Sequence, residues 1–467
     1  MKYNNWALFT IGALNLHGIE PEGIPYDVND LPAYNKHFLN KVIENIDPTK
    51  AHSAVFDHDG TLVVGDISVA MMSEQISSFM YALPIEKKAF VSILSLGYDK
   101  GLKDECLKNG MHTEIGIDAT NKPVTFQKLL KSIFEDYVVL KAKQTEKTSP
   151  EDHLNNVQAK QAEKTSQEDH LNNFQAKLGF YNDAIWGIAK RVDASHPCKH
   201  ELGLRLLSQL WIGLTREELN TLIDKTWKNG ADKKTQVYES TGDLQVIGHQ
   251  RPGIKVISQQ VSLISALQKK QVKVYIITAA PAYIVQQLSH HYGIHKDNVH
   301  GLQLNFDVNH KCIGVDVTDA TYGIGKAKKL KELDLGVLVL ASGDSMGDYE
   351  MLQAVGIPTG IKLIVNAIPS DQKLLELYGQ ACDSVKEYFK KENELATPLS
   401  PRILIQGVDR TALTWIPTAY STDNDGTPKY TASRQCEEYN SVPINAVGVY
   451  NRKHASRRRL VRYIHDQ

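Results

Sequence analysis

The sequence has few cysteines, almost no net charge and no long apolar run. Its cysteines, Cys106, Cys198, Cys312, Cys382 and Cys436, are scattered with no C-x-x-C pair. That pattern predicts reduced thiols and argues against a disulfide framework. The formal net charge is −1, which argues against a protein dominated by nucleic-acid binding. No apolar run reaches the roughly 18 residues of a membrane span. The N-terminus, MKYNNWALFTIGALNL, places Lys2 before an apolar stretch from Trp6 to Leu14. Asn15 interrupts that stretch and no clear small-x-small site follows, so a packed segment is expected rather than a cleaved signal peptide. The matching expectation for localisation is cytoplasmic, with secretion or the periplasm as alternatives.

What is present is ordinary globular composition, 42% hydrophobic and 23% charged over 467 residues, enough for two or more domains. Residues 34–46 have helical apolar spacing. The apolar run Ala54-Val55-Phe56 predicts a strand. From about 67 to 245 the reading is mostly helical, with no evident strand series. Inside it lies a tandem repeat of period 17, AKQTEKTSPEDHLNNVQ (142–158) followed by AKQAEKTSQEDHLNNFQ (159–175). Ser149 and Ser166 stand where helix starts are expected, and a solvated helical arm is the reading, with partner binding as the alternative. TGDL (241–244) predicts a turn. Beyond it, strands at 272–278, 337–344, 360–365 and 401–408 alternate with helical segments, as in a mostly parallel sheet covered on both faces. The last fifty or so residues carry no readable pattern.

In such sheets ligands bind beyond the carboxyl ends of the strands. Asp57 and Asp59 follow the first strand, Thr278 ends the second, and Asp344 and Asp348 follow the third, with Lys326 opening a helix between the last two. Crowding carboxylates at one sheet edge costs repulsion and desolvation unless something cationic offsets it. A hard divalent cation such as Mg²⁺ takes oxygen ligands and is usually held by one or two carboxylates plus a substrate phosphate.

The four segments DHDGTL, VYIITAA, YGIGKAKKL and GDSMGDYEML, in this order, resemble the motifs of the haloacid dehalogenase (HAD) superfamily over about residues 50 to 365. The resemblance implies a Rossmann-like, doubly wound α/β core with a large, mainly helical cap inserted after the first strand. The domain layout would be 1–66 and 246–420 for the N-terminal segment and core, 67–245 for the cap, and 421–467 for a tail. It implies Asp57 as nucleophile and Asp59 as general acid and base. Thr278 and Lys326 would hold the phosphoryl group. Mg²⁺ would lie on Asp57, the Asp59 carbonyl and Asp344, with Asp348 as ligand or support. An acid two residues after the nucleophile favours phosphatases, because hydrolysis of an aspartyl-phosphate needs it.

Details are similar to the phosphoserine phosphatase and phosphorylcholine phosphatase branch, in LWIGLTREELNTLI (210–223) and in the approach to the second motif. Asp66 falls where those enzymes carry an acid facing the substrate's amine or quaternary ammonium; Thr61, Ala279 and Arg251 are further substrate-side candidates. Trp186, Trp211 and Trp227 are cation–π candidates, with core packing the plainer reading. The implied substrate is a small phosphate ester with a cationic head: phosphocholine, phosphoethanolamine or phosphoserine. Alternatives are a protein phosphatase or phosphotransferase docking through the repeat or tail, such as a secreted effector, or a non-catalytic binding protein. SHPCKH (195–200) reads as a loop rather than a zinc site, the histidines at 290, 291, 295 and 300 as surface or capping residues, and the basic stretch 452–462 as a soluble terminal helix, with an anionic-partner patch as the alternative.

Overall fold

The structure is a computed structural model that describes residues 31–95, 110–146, 157–191, 208–251, 253–355, 360–366, 376–384, 402–409, 412, 414–416, 421–422 and 428–429. Helix α1 (Ala33–Glu44) leads into β1 (His52–Phe56), and a short β2 (Val63–Val64) follows the next turn. Then come α2 (Ile67–Ser78), α3 (Lys87–Leu94), a hairpin of β3 (Glu114–Ile117) and β4 (Pro123–Thr125), α4 (Phe126–Glu146), α5 (Val157–Arg191) and α6 (Arg216–Gly230). A second hairpin, β5 (Gln236–Glu239) and β6 (Ile247–Gln250), precedes β7 (Lys255–Val256). The chain then runs through α7 (Ser258–Lys269), β8 (Lys273–Pro281), α8 (Ala282–Leu288), β9 (Val299–Phe306), β10 (Cys312–Asp316), α9 (Ile324–Glu332), β11 (Val337–Gly343), α10 (Tyr349–Gln353), β12 (Ile361–Asn366) and β13 (Arg402–Asp409). Strands β14 (Thr414–Ile416), β15 (Ser421–Thr422) and β16 (Pro428–Lys429) follow.

Apolar strands buried on both faces make the centre, as parallel pairing requires. All of β1 is buried, and so is β11 after its first residue. The sheet order is β10-β9-β8-β1-β11-β12-β13-β15-β16, with β14 also on β13. Every pairing from β9 across to β13 is parallel. Phe56 pairs with Ile276 on one side and Ser342 on the other. Asp57, Thr278 and Asp344 therefore lie within two residues of one line across the sheet. The architecture is the mostly parallel, helix-flanked α/β sheet expected from the sequence.

The segment between β2 and β7 leaves and returns through one antiparallel ladder, Val63 with Val256 and Val64 with Lys255. It is not purely helical, since it holds two hairpins. In β6 the buried positions are Gly248 and Gln250 and the exposed ones Ile247 and His249, so its apolar alternation is inverted. Gly248 is there for close approach: a Cβ would lie 2.0 Å from the carbonyl oxygen of Ala176 on α5.

Other departures concern the repeat, one strand end and the cysteines. The second repeat copy lies within the continuous helix α5, so Ser166 does not begin a helix. Over 167–175 that copy is not a solvated arm. Phe174 is buried in the core, Asn172 donates to the Glu239 carbonyl at 2.8 Å and Asn173 accepts from the Thr241 N–H at 2.7 Å. Residues 147–156 of the first copy, with Ser149, lie outside the described residues. Thr278 is not the last residue of its strand, because β8 continues to Pro281 past an irregularity in its pairing with β9. Cys312 is a buried free thiol, but Cys382 is disulfide-bonded, so the all-thiol expectation fails there. Its partner, the N-terminal apolar stretch, SHPCKH and the basic tail lie outside the described residues. No described helix is long and apolar enough to cross a membrane.

Candidate active site

The turn after β1 builds the site. The Asp57 N–H donates to the Ser342 carbonyl at 2.9 Å, tying the end of β1 to β11. The chain then folds over the His58 carbonyl, which accepts from the N–H groups of Thr61, Leu62 and Val63 at 3.2, 2.8 and 3.2 Å. Gly60 sits at φ +76°, and a Cβ there would come 2.2 Å from Asp344 Oδ2. Only glycine fits that conformation against the neighbouring carboxylate.

Lys326, in the first turn of α9, is 1% exposed. Its Nζ lies 2.6 Å from Asp57 Oδ1 and 2.6 Å from Asp348 Oδ1. Asp348 is fully buried and caps its own turn. Its Oδ2 accepts from the N–H groups of Asp344 and Ser345 at 3.1 and 2.9 Å and from Ser345 Oγ at 3.1 Å. Asp344 Oδ1 accepts from Thr61 Oγ1 at 3.3 Å. Asp57, Asp344 and Asp348 each place a carboxylate oxygen within 4.8 Å of the others.

One ammonium does not balance this set. Burial, then the charge of Asp348, pushes the Asp57 carboxyl well above the usual range, against the opposing pull of Lys326. Asp344 rises for the same reasons in the same order. Lys326 is disfavoured by burial, but the charges of Asp348 and Asp57 outweigh that and hold its proton above the ordinary lysine range. Carboxylates raised in this way would return to the ionised form beside a divalent cation, and an all-oxygen donor set suits Mg²⁺ or a similar hard ion. The residues present therefore fit such a metal.

The other expected residues fall in different places. Thr278 is buried, its Oγ1 accepting from the Ala280 N–H at 3.0 Å, and its carbonyl accepts from Thr321 Oγ1 at 2.5 Å. Ala279 beside it is half-buried. Asp59 Oδ1 accepts from the Ile67 N–H at 2.8 Å and lies 2.9 Å from His58 Nδ1. Asp66 is the N-cap of α2, accepting from the Val69 N–H at 3.0 Å. Burial, then the charge of Asp59, pushes its carboxyl up to about 7. Arg251 pairs at 3.2 Å with Asp183 on α5, at a half-exposed position, rather than with the carboxylate cluster. Trp211 is buried core, and Trp227 stacks on His291 with centroids 4.2 Å apart. The side chain of Trp186 lies outside the described residues. His290, His291 and His295 are exposed, and His295 caps a short turn by accepting from the Asp297 N–H.

Two groups at the site escaped the sequence reading. His58 is fully buried, and its Nε2 lies 2.8 Å from the hydroxyl of buried Tyr292. His58 is the variable letter of a D-x-D motif, and Tyr292 stands in SHHYG beside two surface histidines. Neither carries a sequence signal that separates it from its neighbours.

No protein-family profile matches the chain, and no curated protein sequence matches it. It is similar to solved structures. A conserved, functionally unknown protein from Anaerococcus prevotii DSM 20548 is 16% identical, over 84% of this chain and 97% of that one, with a TM-score of 0.61. A phosphoserine phosphohydrolase-like protein from Francisella tularensis subsp. tularensis SCHU S4 is 10% identical over 70% and 92% of the two chains, TM-score 0.33. A substrate-bound phosphoserine phosphatase is 10% identical over 68% and 86%, TM-score 0.27. The Anaerococcus protein shares the overall path of the chain. The fold is the mostly parallel, Rossmann-like α/β sheet expected from the sequence, and it is shared with that protein.

Proposed function

We propose that the protein is a Mg²⁺-dependent phosphatase of the haloacid dehalogenase type, acting on a small phosphate monoester through an aspartyl-phosphate on Asp57. The observation that carries this reading is the Asp57 carboxylate, held 2.6 Å from buried Lys326 in a group of three carboxylates that needs more positive charge. Asp57, Asp344 and the Asp59 carbonyl would hold the ion, with Asp348 fixing Lys326 and the Asp344 loop. The bound ion supplies charge neutralisation of the phosphoryl oxygens.

Asp57 Oδ1 is taken by Lys326 and the His58 N–H, which leaves the second oxygen to attack phosphorus. Asp59 gives a proton to the departing oxygen as the ester P–O bond breaks. It then takes one from the water whose oxygen displaces Asp57. Thr278 Oγ1 accepts from Ala280, so its own proton is available to a phosphoryl oxygen. Lys326 stabilises the phosphoryl charge as well as that of Asp57.

The division into a core (to 66, and 246–420) and a cap (67–245) is part of the proposal, supported by the single β2–β7 ladder at the boundary. A cap closing there would exclude water. Asp66 supports a cationic head group. It lies against Asp59 with its carboxyl raised to about 7, and a quaternary ammonium or amine would favour its ionised form.

The test is phosphate release with Mg²⁺ from phosphocholine, phosphoethanolamine, phosphoserine, nucleotides, sugar phosphates and phosphopeptides, beside Asp57→Asn. Mg²⁺-dependent turnover of a cationic-head ester, lost in the variant, is expected. Release from phosphopeptides alone would overturn the small-substrate reading, and silence from a folded, Mg²⁺-binding protein would overturn the enzyme reading.

A further inference from the structure

Resting on the phosphatase reading, we infer that His58 and Tyr292 are positioning residues that fix the Asp59 carboxyl and confine its transferable proton to Oδ2. Asp59 Oδ1 has two N–H neighbours, the Ile67 backbone at 2.8 Å and His58 Nδ1 at 2.9 Å. Among the described residues Oδ2 has no hydrogen-bond partner, and the side chain is 19% exposed. One oxygen is thus anchored and the other is left without a hydrogen bond among the described residues.

The ring is held in turn. His58 is 0% exposed, and its other nitrogen, Nε2, meets the Tyr292 hydroxyl at 2.8 Å. The two rings pack edge to face with centroids 5.5 Å apart. The tautomer follows from the tyrosine. Burial, then the charge of Asp59, keeps the Tyr292 proton in place, and no other acceptor for it is found among the described residues. The hydroxyl therefore donates to Nε2, the ring proton sits on Nδ1, and Nδ1–H donates to Asp59. The ring acts as a rigid spacer between α8's following turn and the acid.

The consequence is chemical. A carboxyl whose Oδ1 already accepts two hydrogen bonds carries its own proton on Oδ2. In the first half-reaction that O–H bond breaks and the proton goes to the leaving oxygen as the ester P–O bond breaks and the Asp57–phosphorus bond forms. In the second, Oδ2 regains a proton from water as water's oxygen bonds to phosphorus and releases Asp57. Without the His58 donor the carboxyl turns and the proton is shared between both oxygens, at a loss of alignment.

The experiment compares kcat/KM of the Mg²⁺-loaded full chain on phenyl phosphate and p-nitrophenyl phosphate, since kcat/KM covers steps only through departure of the leaving group. Phenoxide needs protonation; p-nitrophenoxide needs little. General acid catalysis contributes about 10²–10⁴-fold, so His58→Leu is expected to lower kcat/KM for phenyl phosphate about tenfold or more beyond its fall for p-nitrophenyl phosphate. His58→Asn, whose amide can still donate to Asp59, recovers most of that gap. Tyr292→Phe removes only a hydroxyl and opens a smaller gap of the same sign, which keeps the test valid if His58→Leu does not fold. Equal falls on both substrates, or none, in an active protein overturn the positioning role alone. A wild type inert on both and on every ester of the panel above overturns the phosphatase reading, and this inference with it.

Discussion

Replacing Lys326 by methionine tests the electrostatics of the site without a substrate. Methionine keeps much of the volume and removes the charge. Two carboxylates then lose a partner at 2.6 Å, but they are not equally exposed to the loss. Asp348 keeps donors on its other oxygen, from Asp344, Ser345 and the Ser345 hydroxyl. Asp57 keeps the His58 N–H at 2.7 Å. The cost therefore falls mainly on Asp57. Removing one partner of a buried ion pair costs about 3–5 kcal/mol while the other stays charged. The variant can escape by binding a proton, because burial and Asp348 already raise the Asp57 carboxyl. Escape is easier at low pH. The loss should rise with pH by up to about 1.4 kcal/mol per unit for each proton that the variant holds and the wild type does not. At pH 5 it should approach the value of a lost hydrogen bond, about 1 kcal/mol. The assay is urea unfolding of both proteins in chelator at pH 5 and pH 8, followed by tryptophan fluorescence. A loss that is equal at the two pH values, or below about 1 kcal/mol at pH 8, would refute an uncompensated buried carboxylate at Asp57.

Further outcomes follow from the same geometry. Asp57→Asn should remain folded and lose phosphate release by about 10³-fold or more, measured on the best substrate of the panel. Gly60→Ala should remove most of the Mg²⁺-induced rise in melting temperature, because its Cβ would press on Asp344 from 2.2 Å and φ is +76°. Asp66→Asn should flatten the pH dependence of stability. The folded carboxyl titrates near 7 against an ordinary 3.8, so between those values the folded chain holds the extra proton and wild-type stability falls as pH rises. Asparagine caps a helix as well as aspartate does, so acid-side stability is retained, and chemical denaturation at pH 4, 6 and 8 reads the difference.

The core was legible because its signals are local and repeated. Strand β1 closes on the apolar run Ala54-Val55-Phe56 and β11 opens on Val337 to Ala341, and each is followed by an acid that has no packing reason to be there. Lys326 was legible from its motif, YGIGKAKKL, where it opens a helix between the second and third strands. The inserted segment hid its hairpins because β6 buries Gly248 and Gln250 and exposes Ile247, which reverses the pattern that periodicity detects. The repeat misled for another reason. Its copies are nearly identical, yet the second carries Phe174 where the first has Val157, and Phe174 is buried against the aromatic rings of Phe79, Tyr81 and Tyr137. Sequence identity between the copies says nothing about which one meets a partner surface, so a reading of both as solvated fails at the copy that packs. Arg251 shows the same limit, since its partner Asp183 is distant in sequence and set only by the docking of α5 on β6. His58 is the sharpest case. A buried imidazole between Asp59 and Tyr292 depends on a contact 234 residues apart in sequence, and nothing in D-x-D marks the middle residue as polar for a purpose. Strand-end chemistry can be read along the chain; the groups that orient it are fixed across the sheet and become visible only when β1 and the turn after α8 are brought together.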